Sequence, residues 1–589
     1  MARQLSAYTA LLLMLLVTAS AQTKKQTAPY KPTADELRQI QAKTDELAAA
    51  LQKIKLDDPL RADVEVYHKA AVWIVRYANE EFYSKRYLTD TLTVLDHGLV
   101  RAKELAAGKP SWPTQKGQLV RAYQSRVDGS VQPYAVTVPE NPDGRLDVVL
   151  HGRGATLNEV NFIASHERPG ENSPHMRLDV YGRGNNAYRW AGETDVFEAI
   201  ESVKARYKID SRRIVLRGFS MGGAGAWHLG LHHPDMWAAV EAGAGFTETK
   251  RYAKLDSIPP YQDATLHIYD ATDYALNAVN VPFVGYGGED DGQLQGSTNI
   301  REALTKEGFH FTSDGLNWIT KELPALFLVG PKTGHKFHPD SKKRSDEFIQ
   351  SVLPQKTPRN VRFITYTTRY NRCFGIEVLA LEKPYQRAEV ELRDGALKTH
   401  NVAQLKIDGK EVLPAKPGIW KTHGLQGPID DAFMDSFLCV KSTGAPAPRL
   451  EEFRRDFAKW MRGDVRVKDD AAVTPSDIAN HNLILFGAPA SNKLIGQIAG
   501  KLPIRWTKDA ITVGDKTFSA AEHTLVMIYP NPLNPRRYVV LNSGHTFGEK
   551  EFRGTNALLF PRLGDYAVLR SDGTVALAGL FNEHWELER

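Results

Sequence analysis

A serine stands between two glycines in Gly218-Phe219-Ser220-Met221-Gly222, directly after the apolar run Ile214-Val215-Leu216. A strand that turns abruptly into a helix at such a serine lifts its hydroxyl clear of the sheet, where a base can reach it. Glycine is needed at both flanks because a Cβ there would meet the tight turn. The chemistry this suits is attack of an activated hydroxyl on a carbonyl carbon.

Such a serine needs a base, and the base needs an orienting carboxylate. The run Val281-Tyr286 ends in Gly287-Gly288-Glu289-Asp290-Asp291-Gly292, an acidic loop after a late strand. Glu289, Asp290 and Asp291 all compete for the carboxylate. The glycine-x-x-acid register from Gly288 puts Asp291 first and leaves Asp290 as the alternative. Further on, Ala325-Val329 ends in Gly330-Pro331-Lys332-Thr333-Gly334-His335. His335 is the expected base and His338, three residues later, the fallback. His232 and His233, at the end of the helix after Ser220, read as surface residues. Developing negative charge on a tetrahedral intermediate needs N–H donors. The loop His151-Gly152-Arg153-Gly154 follows the run Leu146-Leu150, and its backbone at Gly152 and Arg153, with the N–H of Met221, is the expected oxyanion hole.

These groups must be positioned by elements. Leu119-Arg126 and Val131-Val138 read as a hairpin about Asp128-Gly129-Ser130. Strand candidates follow at Leu146-Leu150, Leu178-Tyr181, Ile214-Arg217, Ala238-Ala242, Val281-Tyr286 and Ala325-Val329. Helical patterns lie between most of them, notably Thr194-Tyr207 and Gly223-His232. Such alternation predicts an α/β fold, a mostly parallel sheet covered on both faces, with ligands at the carboxyl ends of the strands.

The 589 residues carry 75 Lys and Arg against 70 Asp and Glu, a net charge of +5 with the signs mixed along the chain. A nucleic-acid footprint is therefore not expected. Arg3, the apolar stretch Ala10-Val17 and small residues at Ala19 and Ala21 have the form of a secretory signal peptide cut after Ala21. The apolar stretch falls short of the ~20 residues of a membrane span. The expectation is a secreted or periplasmic protein without stable membrane insertion. The two cysteines, Cys373 and Cys439, either pair or stay as buried thiols. The pattern calls for no cofactor and no metal.

The stretch from about 117 to 352, about 40% of the chain, resembles the α/β-hydrolase superfamily. It is most similar to the secreted branch that groups prolyl-oligopeptidase-type catalytic domains, predicted bacterial peptidases, and feruloyl-esterase or polyhydroxybutyrate-depolymerase-like enzymes. The segments that carry the resemblance are Arg126-Val127-Asp128-Gly129-Ser130-Val131-Gln132-Pro133-Tyr134, His151-Gly152-Arg153-Gly154, Gly218-Phe219-Ser220-Met221-Gly222-Gly223 and Gly334-His335. The resemblance implies a Ser-Asp-His triad of Ser220, Asp291 and His335 working through an acyl-enzyme. The implied substrate is a small molecule, a peptide or a polymer-derived ester. In one respect the chain departs from prolyl oligopeptidases: a helical segment, and no β-propeller, precedes the hairpin.

The expected organisation is a signal peptide at 1–21, a helical N-terminal subdomain at 22–112, the α/β-hydrolase catalytic domain at 113–355, a β-rich module at 356–448 and a small α/β module at 449–589. Within the helical subdomain, Thr33 and Glu36 read as a capping box. The sequence leaves oligomeric state open. A reading of another class makes the chain a non-catalytic extracellular binding protein on a hydrolase scaffold, with aromatics near Trp420 or Trp506 meeting a polysaccharide or a surface. The complete triad argues against an inert scaffold.

Overall fold

The computed structural model describes residues 29–169, 172–414 and 417–588, so the expected signal peptide lies outside the described residues. Thr33 caps the first helix, α1 (Ala34–Leu51), as its spacing to Glu36 predicts: its hydroxyl accepts from the Glu36 amide at 3.2 Å, and the Glu36 carboxylate accepts from the Thr33 amide at 2.8 Å. Helices α2 (Ala62–Arg76) and α3 (Arg86–Ala106) pack on α1 through Leu47, Tyr67, Ile74 and Leu95.

The central sheet contains β1 (Gly117–Gln124), β2 (Val131–Val138), β3 (Leu146–Leu150), β4 (Met176–Val180), β5 (Ile214–Phe219), β6 (Ala239–Gly243), β7 (Phe283–Gly288) and β8 (Ala325–Gly330). Their spatial order is β1-β2-β4-β3-β5-β6-β7-β8, with short additional strands at both edges. The hairpin β1–β2 and the contact of β2 with β4 are antiparallel; from β4 to β8 every neighbour is parallel. This is the α/β-hydrolase arrangement that the resemblance implies. Because β5 lies in the middle of the sheet, both its faces are covered and its run is apolar.

The β-rich module forms a three-stranded and a four-stranded sheet between Val361 and Leu413, around Phe363, Cys373, Val378, Val390 and Leu405. Cys373 and Cys439 are free, buried thiols, so of the two readings pairing is excluded. The expected boundary at 449 is corrected: Phe437–Lys441 pairs in parallel with Asn482–Phe486 and so belongs to the last unit. That unit's sheet runs through Val467–Asp469, Phe437–Lys441, Asn482–Phe486, Asn534–Leu541, His523–Asn531, Tyr566–Arg570 and Val575–Gly579. Trp506 is buried within it, and Trp420 is half-buried against His584.

One continuous core joins the N-terminal helices, the central sheet and the last unit. Buried charges cross the same boundaries. Arg462 pairs with Glu81, just beyond α2, and with Glu159 of the catalytic domain. Burial by itself would raise the Glu159 pKa, but Arg462 and Lys69 outweigh it and hold it at about 2. Arg183, fully buried, bridges Asp128 and Asp195 and donates to the Met461 carbonyl. The hairpin segment Arg126–Tyr134 is thus a docking hub: Gln132 donates to the Arg462 carbonyl, and Arg466 donates to that of Val127.

Candidate active site

At the end of β5 the chain turns at Ser220, whose φ of 60° and ψ of −123° lie where a non-glycine residue is strained. The turn is held by a 2.9 Å bond from the Ser220 amide to the Gly243 carbonyl. A Cβ on Gly218 would run into the carbonyl of Gly222, and one on Gly222 into that of Leu150. Glycine at both positions is therefore a steric requirement of the turn, as the motif predicts. Helix α4 (Met221–His232) starts immediately afterwards, which directs its positive end at the space above Ser220.

The loops after β7 and β8 bring the other two groups to the same place. His335 Nε2 lies 2.8 Å from Ser220 Oγ, and His335 Nδ1 lies 2.8 Å from Asp291 Oδ2. Asp291 Oδ1 accepts the Gln293 amide at 3.0 Å, so the carboxylate is fixed from both sides. The structure brings Ser220, Asp291 and His335 together and does not bring in either alternative. Asp290 is exposed, with its amide bound to the Thr333 carbonyl. His338 caps the helix Pro339–Val352, its Nδ1 accepting from the Asp340 amide. Between the two histidines, the Tyr286 hydroxyl donates to the Lys336 carbonyl and accepts from the His338 amide, both at 2.8 Å, which braces the histidine loop.

Gly152 lies against Ser220, since a Cβ built on it would stand 3.4 Å from the Ser220 Cβ. Among the described residues, no hydrogen-bond acceptor meets the amides of Arg153 or Met221. Asn185 pins the loop that carries Arg153, accepting from the Gly154 amide at 3.0 Å and donating to its carbonyl at 2.8 Å. His151 adds contacts to the carbonyls of Gly152 and Tyr181, and its burial holds the imidazole pKa below its ordinary value.

A cavity of about 580 Å³ opens over Ser220, Met221, Arg153, Asp291 and His335. Phe246 and Tyr252 line it from the catalytic domain, and Gly554, Thr555 and Asn556 line it from the last unit of the chain. No local pattern marks these last three, or Asn185, because each acts across long separations. The expectation for His232 is corrected. It is fully buried, its ring 3.8 Å from that of Tyr274 and 4.2 Å from that of Tyr370, and burial keeps its pKa well below the ordinary value.

Among the described residues no helix is long and apolar enough to cross a membrane. Residues 180–283 match the model of the prolyl oligopeptidase family. No curated protein matches the chain. Among solved structures, a ferulic acid esterase is 18% identical, covering 41% of this chain and 99% of its own, with a TM-score of 0.29. An S-formylglutathione hydrolase from Agrobacterium tumefaciens is 17% identical over 41% of this chain and 95% of its own, with a TM-score of 0.29. A puromycin-hydrolysing peptidase of Mycobacterium tuberculosis is 16% identical over 39% of this chain and 38% of its own, with a TM-score of 0.27. The chain has an α/β-hydrolase fold and is a serine hydrolase.

Proposed function

We propose that the protein is an exported hydrolase of ester or peptide bonds, of prolyl-oligopeptidase-like kind, that works through an acyl-enzyme on Ser220. The observation that carries this reading is the pair of 2.8 Å contacts on the two ring nitrogens of His335. Both fall within the range over which a base takes a hydroxyl proton and a carboxylate orients that base.

Ser220 Oγ attacks the carbonyl carbon while its proton passes to His335 Nε2. Asp291 keeps the Nδ1 proton in place and stabilises the imidazolium. The carbonyl oxygen takes the negative charge and is met by the amides of Met221 and Arg153, with Gly152 letting the loop approach. The bond to the leaving amine or alcohol then breaks, and His335 Nε2 gives that group its proton. Water, deprotonated by His335, attacks the acyl carbon, and the acid leaves as Ser220 recovers its proton.

The peptidase kinship is supported by the family match at 180–283. An esterase acting on carbohydrate or polyester carbonyls, of feruloyl or acetyl esterase kind, is the second reading, supported by a cavity of about 580 Å³, the size of a small-ligand site. Labelling by a fluorophosphonate, abolished in Ser220→Ala, tests the chemistry. A wild-type protein that does not label returns the chain to the binding-scaffold reading. A panel of short acyl esters, feruloyl esters and peptide anilides then separates the substrate classes. Export rests on Arg3, Ala10-Val17, Ala19 and Ala21, and is tested by N-terminal sequencing of the mature protein, which should begin at Gln22.

A further inference from the structure

The last unit of the chain reaches back over the catalytic domain through the segment from Phe552 to Arg562. The Arg153 guanidinium donates to the carbonyls of Gly554 at 2.6 Å and Phe552 at 3.4 Å. Asn556 donates to the Asn185 carbonyl at 2.8 Å, on the residue that pins the oxyanion loop. Farther along, Trp190 Nε1 donates to the Leu559 carbonyl at 3.2 Å, and Gln262 donates to that of Arg562 at 2.9 Å. The segment is therefore a strap fastened to the catalytic domain at both ends and in the middle, mostly through its own main-chain carbonyls. Around its first fastenings it presents Gly554, Thr555 and Asn556 to the cavity that holds Ser220 and His335.

We propose that this strap is the substrate-selecting wall of the catalytic cavity, a lip that admits esters or amides with a small group on its side of the scissile bond and rejects the interior of a long polymer. The inference rests on the reading of Ser220 as the nucleophile and adds to it the class of substrate. A wall built of side chains can yield by rotamer changes. A wall of main chain held by a charge-assisted bond at Arg153 and further bonds downstream cannot move without breaking several of them together. The cavity it leaves, about 580 Å³, is that of a small-ligand site, with Gly554, Thr555 and Asn556 along one side. Arg153 thereby has two parts to play: its amide is the proposed oxyanion donor, and its guanidinium ties the lip to the same loop.

The experiment compares the rates at which Ser220 displaces fluoride from diisopropyl fluorophosphate and from a fluorophosphonate bearing a branched naphthyl group at phosphorus. In the wild type the small probe should react at least about tenfold faster, a discrimination that a shaped pocket can supply. Thr555→Gly should narrow the ratio to within about threefold, and Thr555→Trp should widen it beyond the wild-type value. Thr555 is half-buried and its hydroxyl makes only a 3.5 Å contact from the Ala557 amide, so neither change removes a strong bond. Melting temperatures of both variants report whether they fold, and the wild-type ratio is decisive without them. Equal rates for the two probes in the wild type, or a ratio that ignores both substitutions in folded protein, would overturn the lip. Labelling by neither probe would instead overturn the Ser220 reading.

Discussion

Asp291 Oδ2 lies 2.8 Å from His335 Nδ1, with the carboxylate only 7% exposed and the imidazole 46% exposed. The acid is thus shielded while the base it orients stays open to the cavity. The Gln293 amide on the other carboxylate oxygen removes the remaining freedom of the side chain. An anion so placed selects one imidazole tautomer and strengthens its charged form during proton transfer.

Replacing that carboxylate separates Asp291 from its neighbour. Asp291→Asn is expected to lower kcat by about 10⁴-fold, because the amide supports the wrong tautomer. Asp290→Asn should leave kcat within about twofold, as Asp290 has no contact with the histidine. Steady-state kinetics on any turned-over ester checks both; equal losses in the two variants would reassign the acid.

The turn at Ser220 predicts a steric failure. Gly222→Ala sets a methyl group against the Leu150 carbonyl, where neither partner is a flexible side chain. Overpacking of this kind costs about 3 kcal/mol. Thermal unfolding should show it, together with loss of fluorophosphonate labelling. An alanine variant with wild-type stability would mean that the turn is looser than described.

Arg462 is the buried cation shared by Glu81 and Glu159. Arg462→Met keeps much of the volume and leaves two buried carboxylates without their partner, a loss of about 3–5 kcal/mol. Urea unfolding should register it as a lower midpoint. A variant within about 0.5 kcal/mol of wild type would show that Lys69 alone neutralises the cluster.

Asp270 makes stability depend on pH in the direction opposite to most carboxylates. Burial first, then the nearby charge of Asp273, pushes its pKa up to about 7, against the opposing pull of Arg189 and Thr249. The unfolded value is near 4, so between about pH 4 and 7 the folded state holds a proton that the unfolded state has lost. Stability from this group therefore falls as pH rises through that window, by about 4 kcal/mol, and the full penalty stands above pH 7. Asp270→Asn should abolish this slope, gaining stability at pH 8 and little at pH 4. Denaturant titrations at the two values check it; an unchanged pH slope would refute the assignment.

What was legible in the sequence was legible for local reasons. The strain at Ser220 is set by residues two positions away, so Gly218 and Gly222 announce it. The acid and the base follow strands whose apolar runs end in glycine, so the loops of Asp291 and His335 could be read from their register. His232 was misleading because helix α4 is buried all round, and no amphipathic period distinguished an inner from an outer face. The pairing of Phe437–Lys441 with Asn482–Phe486 is a choice between distant partners, and a continuous apolar run does not reveal its neighbour. Asn185 and the segment at Gly554–Asn556 act across separations of 31 to 401 positions, and no spacing rule reports contacts at that range.

Trp73 donates to the carbonyl of Ala458 across 385 positions, Arg76 meets Asp464 across 388, and Arg462 meets Glu81 across 381. During synthesis the helical segment around Trp73, Arg76 and Glu81 therefore waits for partners made much later in the chain. Until then, the apolar side of the early helical bundle has nothing to close against in this quarter, and long-range closure of this kind is slow and exposed to misassembly. Shortening the chain from residue 588 would therefore strip the strap at Phe552–Arg562 from the cavity of the serine before it reached Ala458, Arg462 and Asp464, the partners of the early helices.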